Sequence, residues 1–377
     1  MRILMTGGGT GGHVNPAIAI ADKIKLYEPD SEIAFVGTPR GIENKLVPAA
    51  GYKLYHIDIR GLKRSLSLSN LRTVYLMMVS QKKARKLLKE FGPDAVVGTG
   101  GYVCWPLMNA ASKMGIPTAL HESNAVPGAA VKLLQNNTDL IFVNFEVTIK
   151  KLKNPDRAIC VGNPLRGQFG KLSKEEARDK LGYNGKYRHV LLSCGGSMGA
   201  QRVNEEVLRL MRDWSSKNPS VKHIHATGAI EYEDSKKMFH DFGLEKYPNL
   251  ELCEYIYDMP LKMAAADLVI NRAGAITLSE LAVQKKPCIL IPSPNVTDDH
   301  QYKNAKVLED AGAAVVFRES ELSEGILTEA VSSLMSDRPR LKNMSENIGK
   351  FAVLNCTDII FKELKRLVDN KNHTKKQ

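Results

Sequence analysis

Twice in this chain a short apolar strand runs directly into a glycine-rich turn that opens a helix. The first is Arg2-Ile3-Leu4-Met5-Thr6-Gly7-Gly8-Gly9-Thr10-Gly11-Gly12-His13; the second, in the other half, is Cys194-Gly195-Gly196-Ser197-Met198-Gly199-Ala200. Such turns let backbone approach an anion closely, and the helix N-terminus behind them offers free N–H groups and roughly half a positive charge. One such turn is common among α/β proteins. Two, one per half, predict an α/β chain of two Rossmann-like, doubly wound domains whose glycine turns face a cleft.

A length of 377 residues suits two domains, each with its own core. Apolar residues at 43% and charged residues at 25% are those of a soluble globular protein. No apolar run is long enough to span a bilayer, and the N-terminus reads as a strand without a signal-peptide layout. Cys104, Cys160, Cys194, Cys253, Cys288 and Cys356 are scattered, with no Cys-x-x-Cys pair, which predicts reduced thiols in a cytoplasmic protein, neither bridged nor metal-bound.

The net charge of +12 calls for an acidic partner. Part of it is the tail 370–377, which reads as solvated and disordered. More of it lies in one stretch, where Arg60, Lys63, Arg64, Arg72, Lys82, Lys83, Arg85, Lys86 and Lys89 occur with no acid among them. Leu and Met, not stacking aromatics, are interleaved with these cations, which favours anionic lipid over nucleic acid. Within it Leu71, Tyr75, Met78 and Lys82 fall on one helical face, and Met77, Ala84, Leu88 and Phe91 form a second stripe. Either both stripes are buried, or the first lies on a membrane surface.

Strands are expected at Ile3–Met5, Glu32–Val36, Leu54–Ile57, Ala95–Val97, Thr118–His121, Leu140–Val143 and Ala158–Val161. A second series follows at His189–Ser193, His223–Ala226, Leu250–Leu252, Leu268–Asn271, Cys288–Ile291 and Ala314–Phe317. Helices are expected between them, among them Asn15–Leu26 and Leu71–Phe91, with a terminal helix near Thr357–Val368. The expected domains are 1–162 and 163–345, with a helix at about 353–370 packing back on the first and a basic tail at 371–377.

The first glycine turn fits a dinucleotide site poorly, because the second strand ends Val36-Gly37-Thr38-Pro39-Arg40 without the acid that would hold an NAD ribose. His13 stands where turn meets helix. It either fills that corner, or serves as a general base, since a helix N-terminus disfavours imidazolium and keeps the ring neutral. Gly98–Val103 and His121–Asn124 close two further strands at the same sheet edge, as ligand loops or as well-capped turns. In the second half, a strand ending at Asn271 leads through Arg272-Ala273-Gly274 into a helix. Its first amides, at Ala275, Ile276 and Thr277, suit phosphate, and Glu280, about one turn in, suits ribose hydroxyls or simply the helix dipole. Asp299 is an expected N-cap for the helix that carries His300 and Gln301.

Taken together, Gly7–His13, Gly100-Gly101-Tyr102-Val103, His121-Glu122-Ser123-Asn124, Gly162-Asn163-Pro164-Leu165-Arg166, Gly195-Gly196-Ser197, Gly274–Glu280 and Gln301-Tyr302 resemble the MurG family of GT-B glycosyltransferases over all but the basic tail. The resemblance implies inverting transfer of GlcNAc from UDP-GlcNAc to a polyprenyl-anchored acceptor, lipid I, giving lipid II for peptidoglycan, at the cytoplasmic face of the membrane. It implies that Thr10, Gly11, Gly12 and Asn124 approach the donor sugar, and that Arg166 and Ser197 contact the diphosphate. The backbone of Ile256 would read uracil, Ala275, Ile276 and Thr277 would hold phosphate, Glu280 ribose, and Gln301 the GlcNAc hydroxyls. His13 takes the place of the family's base. Met198 stands where the family often has Gln, and Ala273 where Ser is frequent. No cofactor or metal is expected, as no Asp-x-Asp motif occurs. The partners implied are UDP-GlcNAc, lipid I and an anionic inner-leaflet surface, with no nucleic acid. The rival readings are a UDP-GlcNAc 2-epimerase of similar fold, a hydride-transferring Rossmann enzyme, and a non-catalytic RNA- or lipid-binding protein.

Overall fold

The computed structural model describes residues 1–59, 69–167, 169–196 and 198–376, with side chains at all of these except 69–77, 372 and 374–376. Two compact units divide it: residues 1–166 with 355–377, and residues 167–354.

The first unit is built on a seven-stranded sheet of β1 (Arg2–Thr6), β2 (Glu32–Gly37), β3 (Lys53–His56), β4 (Ala95–Gly98), β5 (Thr118–Glu122), β6 (Leu140–Val143) and β7 (Ala158–Cys160). Their spatial order is β3-β2-β1-β4-β5-β6-β7, every pairing parallel. The second unit carries β8 (His189–Cys194), β9 (Val221–Ala226), β10 (Leu250–Cys253), β11 (Leu268–Asn271), β12 (Cys288–Leu290) and β13 (Ala314–Val316), ordered β10-β9-β8-β11-β12-β13 and again all parallel. In each sheet the winding direction reverses once, between β1 and β4 and between β8 and β11. Open parallel sheets bind ligands at the carboxyl ends of the strands flanking that reversal.

Helices cover both faces of such a sheet, so its strands are apolar without alternation. Ile3, Leu4 and Met5 are accordingly all fully buried. Leu4, Val96, Leu120 and Ile141 pack with Ala84, Leu88 and Leu107 from the helices Ser69–Phe91 and Cys104–Lys113. Leu191, Ile270 and Ile289 do the same with Val203, Val207 and Leu210 of the helix Gln201–Asp213.

Every expected strand is present, with ends shifted by a residue or two. Two helices depart from expectation. The first runs Gly11–Tyr27, one turn earlier than the Asn15 start. A start at Asn15 would leave Pro16 in the first turn, where its missing amide costs nothing; instead Pro16 is the sixth helical residue, and the helix forgoes one backbone bond to begin inside the glycine turn. The terminal helix runs Cys356–Lys376, so the basic tail read as disordered is helical as far as Lys376. That helix docks on Gly11–Tyr27 through Lys23–Asp358 (3.1 Å), Lys365–Glu28 (2.6 Å) and a Tyr27–Phe361 ring contact at 4.9 Å.

In the helix Ser69–Phe91, Ala84, Leu88 and Phe91 form the buried stripe, whereas Met78 is 61% exposed and Lys82, Lys83, Arg85, Lys86 and Lys89 all face solvent. The first stripe is therefore not buried at Met78 and Lys82, and the reading in which both stripes are buried fails there. Leu71, Tyr75 and Met77 have side chains outside the described set. No helix of the described residues is long and apolar enough to cross a membrane.

Candidate active site

At the β1/β4 reversal the turn after β1 and the turn after β4 are laced together. The Gly8 amide donates to the Gly100 carbonyl at 3.3 Å, the Thr99 amide to Thr6 O at 2.9 Å, and the Thr99 hydroxyl to His13 O at 2.7 Å. Cys104, buried, donates its thiol to Gly100 O at 3.0 Å, and burial pushes its pKa up to about 11, which keeps it a donor. Two glycines are obligatory here. Gly100 has φ +115°, and a Cβ on it would fall 2.5 Å from His13 Cδ2 and 2.8 Å from Nε2; one on Gly101, at φ +87°, would fall 2.5 Å from Gly8 O. The imidazole of His13 therefore rests directly on the Gly100 backbone.

His13 is the third residue of its helix, and that helix has no side-chain cap at Thr10 and no acid in its first turn. Its Nδ1 lies 3.0 Å from Gly8 O and 3.3 Å from Thr10 Oγ1. A carbonyl oxygen only accepts, so Nδ1 carries the hydrogen, and in the neutral form of the ring the lone pair is then on Nε2. That nitrogen is the one at the Gly100 edge.

Sequence reasoning missed Glu43. Its carboxylate, fully buried, accepts the Gly9 amide at 3.0 Å on one oxygen, and the Thr38 amide at 2.8 Å and hydroxyl at 2.7 Å on the other. Burial works to raise its pKa, but these donors outweigh burial and hold the carboxyl below its usual range. The acid sought at the end of β2 is thus present six residues beyond it, folded back beneath the glycine turn instead of exposed to a ribose.

At the end of β5, Glu122 is buried and organises Asn124, accepting its amide at 2.9 Å and its Nδ2 at 3.1 Å, with Gly128 N–H at 2.6 Å on the other oxygen. His121, also buried, donates Nε2–H to Gly162 O at 2.9 Å and so ties this strand end to the 162–166 segment. Arg166 lies 3.5 Å from Asp22, near the C-terminal end of the helix Gly11–Tyr27, and Asp22 also receives the Tyr52 hydroxyl at 2.8 Å. Asp22 lies eleven positions along the helix from Gly11, roughly 16 Å at about 1.5 Å per residue, so Arg166 is not gathered with the His13 turn.

In the second unit, the turn after β8 is pinned by Gly195 N–H to Ala226 O (3.0 Å) and Ile230 N–H to Met198 O (3.3 Å), and Met198 is 64% exposed. Ser197 lies outside the described residues. After β11, the helix Ala275–Val283 starts at Gly274 without a side-chain cap and with no acid in its first turn. The amides of Ile276 and Thr277 bond to no described residue, and the turn is therefore open to an anion. Glu280 lies in the second turn, not the first, which removes the helix-dipole explanation for it. Its carboxyl has no hydrogen-bond or ion-pair partner among the described residues, and burial raises its pKa to about 8. Its charge also reaches Cys194 at the foot of the second glycine turn, whose thiol is pushed up by burial and then by this carboxyl.

Ile256 buries its side chain, while its backbone amide and carbonyl bond to no described residue. Gln301 accepts the Ser293 amide on Oε1 at 2.9 Å, leaving its Nε2 without a described partner. Asp299 occupies the expected N-cap position but does not cap. It sits at φ +51°, beside Asp298 at φ +58°, makes no cap bond, and sends its carboxylate to Arg318 at 3.2 Å. Two adjacent left-handed aspartates cost about 1–2 kcal/mol each, a strain typical of ligand loops.

Twin parallel sheets, each with a glycine turn and an uncapped helix start at its reversal, define a nucleotide-binding α/β protein of the GT-B class. The chain belongs to glycosyltransferase family 28: residues 3–143 match the family's N-terminal domain and 190–358 its C-terminal domain. It is 42% identical over 371 residues to the UDP-N-acetylglucosamine–N-acetylmuramyl-(pentapeptide) pyrophosphoryl-undecaprenol N-acetylglucosamine transferase of Acetivibrio thermocellus, covering 98% of this chain and 99% of that protein. A crystal structure of Acinetobacter baumannii MurG is 28% identical with a TM-score of 0.78, over 97% of this chain and 99% of that one. A UDP-GlcNAc 2-epimerase from Neisseria meningitidis, bound to UDP-GlcNAc, shares the fold alone, at 15% identity and a TM-score of 0.66 over 97% and 100% of the two chains.

Proposed function

We propose that this glycosyltransferase moves GlcNAc from UDP-GlcNAc, with inversion, to the C4 hydroxyl of the MurNAc unit in undecaprenyl-pyrophosphoryl-MurNAc-pentapeptide, forming lipid II for peptidoglycan synthesis. The observation that carries this is full-length similarity, at 42% identity, to a transferase named for that reaction, whereas the epimerase resembles the chain only in fold. His13 suits the general base: with Nδ1–H committed to Gly8 O, Nε2 takes the proton from the acceptor hydroxyl as the new bond forms at the anomeric carbon. Such help is worth about 10²–10⁴ in rate. The leaving UDP gains negative charge, which the helix start at Ala275, Ile276 and Thr277 stabilises through its dipole and the amides of Ile276 and Thr277.

Glu280 accepts the ribose hydroxyls, the Ile256 backbone the uracil edge, and Gln301 offers Nε2 to the GlcNAc hydroxyls. Thr10, Gly11, Gly12 and Asn124 serve the sugar, and Ser197 the diphosphate. Arg166 reaches a diphosphate only after leaving Asp22, which makes it a residue recruited on binding. The exposed Met78 and Lys82 belong to a basic face that docks on anionic lipid at the cytoplasmic side of the membrane, with Leu71 and Tyr75 assigned there from the sequence alone.

The test is transfer of labelled GlcNAc to a short-chain lipid I analogue. Product that requires the acceptor supports the reading, and conversion of UDP-GlcNAc alone to its 2-epimer refutes it.

A further inference from the structure

The N–H of Gly9 and the C=O of Gly8 belong to one peptide group, and in a trans peptide they point in opposite directions. On one side of that group stands the Glu43 carboxylate, 3.0 Å from Gly9 N; on the other stands His13 Nδ1, 3.0 Å from Gly8 O. We infer that Glu43 is a positioning residue for His13, holding the Gly8–Gly9 peptide in the one orientation that turns the Gly8 carbonyl toward the imidazole. This rests on the reading of His13 as the base.

The surroundings of Glu43 are built for that purpose. A Cβ on Gly8, Gly37 or Gly41 would fall 2.7, 2.6 or 2.0 Å from its side-chain atoms, so three glycines clear the space it fills. Its second oxygen is fixed by both donors of Thr38, which leaves the first oxygen aimed at Gly9. Gly9 itself has φ +85°, a conformation with no intrinsic preference for one peptide orientation, so an external anchor is needed. Hydrogen bonds in series through an amide polarise one another: the ionised carboxylate draws on the N–H and makes the Gly8 carbonyl a stronger acceptor. The ring is thereby kept as the Nδ1–H tautomer with a more basic Nε2, as outer partners do for metal-bound histidines. Glu43 takes no proton in the reaction. Cys104, which bonds Gly100 O on the facing turn, is held protonated by burial.

The test is Glu43→Gln, which keeps the volume but replaces one acceptor oxygen with an NH₂. If that amide keeps Thr38 satisfied, its NH₂ faces the Gly9 N–H and the peptide loses its anchor. Turnover falls about tenfold or more, while the KM for UDP-GlcNAc stays within about twofold. The acidic limb of the kcat profile moves down by about half a unit or more, since a nearby negative charge has been removed.

Nitrogen NMR of His13 in the resting protein reads the same effect without turnover: an Nδ1–H tautomer in the wild type, and a mixed tautomer with lowered pKa in the variant. On a His13→Ala background, Glu43→Gln adds no further loss in kcat. An Nε2–H tautomer in the wild type, or an unchanged tautomer and pKa in folded Glu43→Gln, overturns the inference. Should Glu43→Gln fail to fold, the wild-type tautomer alone decides. Wild-type turnover in His13→Ala sinks the base reading instead, and so separates the two failures.

Discussion

Replacing Glu280 by Gln probes the donor site through a group whose ionisation the fold itself opposes. The carboxyl has no partner among the described residues, and burial moves its pKa from 4.5 to about 8. The sign follows from proton counting. Between those two values the native protein holds a proton that the unfolded chain has lost, so stability falls as pH rises through the window. Worked through at 1.36 kcal/mol per unit, the cost reaches about 3 kcal/mol at pH 7. Because Glu280 keeps part of its surface in solvent, this is a ceiling. Glu280→Gln removes the cost. The variant should match wild type near pH 4.5 and grow more stable than it towards pH 8, as read by denaturant melts across that range.

The same ionisation governs binding. Ribose hydroxyls donate to a carboxylate, so UDP lowers the Glu280 pKa and, near pH 7, expels close to one proton. At pH 7 about a tenth of the free protein is ionised and at pH 8 about half, so UDP affinity should rise about fivefold over that unit and then level off. In Glu280→Gln affinity is weaker and flat between pH 7 and 9, a range above the titration of the diphosphate itself. Calorimetry in two buffers of different ionisation enthalpy counts the released proton directly. An identical pH profile for wild type and Glu280→Gln, or no proton release in either, would refute both the buried-carboxyl argument and the ribose contact.

Gly100→Ala places a methyl 2.5 Å from His13 Cδ2 at φ +115°, so turnover should drop by at least about tenfold from misplacement of the base, with UDP protection in thermal melts intact; normal turnover would show that the ring has room to move. His121 and His225, fully buried, have pKa values lowered to about 4 by burial, so each stays neutral in the fold while the unfolded chain protonates near 6.5. Stability is therefore full above pH 6.5 and is lost as pH falls towards 4, by up to about 3 kcal/mol for each histidine; unfolding free energies that are flat from pH 7 to 4.5 would contradict this. Met78→Ser combined with Lys82→Glu should weaken binding to anionic vesicles and spare transfer to a soluble acceptor analogue, since Met78 is exposed and outside the core; unchanged vesicle binding removes this face from the membrane proposal.

The framework was legible because parallel strands buried on both faces leave continuous apolar runs, and Ile3-Leu4-Met5 or Leu268-Val269-Ile270-Asn271 admit little else. Strand ends slipped where Gly37, Gly98 and Glu122 stay in the ladder for one more residue. The glycine turns were legible too, since positive φ at Gly9, Gly100 and Gly196 demands that residue type. What could not be read were contacts set by tertiary packing. Asp22 meets Arg166 across most of a domain's sequence, and Asp299 abandons its helix for Arg318. Neither leaves a periodic trace. Glu43 is the sharpest case: it grips an amide 34 residues away, and nothing in Ile42-Glu43-Asn44 distinguishes it from a surface acid at a helix start.

That misreading explains how the two halves divide their work. In dinucleotide-binding sheets the acid following the second strand faces the ribose, and its absence at Arg40 was the reason to set a nicotinamide site aside. The acid exists, but it is fully buried beneath the turn, with Gly9 on one oxygen and Thr38 on the other. A carboxylate so buried is closed to a sugar. The first sheet spends its acid on shaping the turn that carries His13, and a hydroxyl acceptor must come from elsewhere. In the proposed donor site Glu280 answers that need, since it is the carboxyl beside the second glycine turn that has no partner among the described residues. One fold, used twice, thus carries two glutamates whose ionisation differs for a physical reason: donors from Gly9 and Thr38 lower the pKa of one, and no described residue offsets the burial of the other.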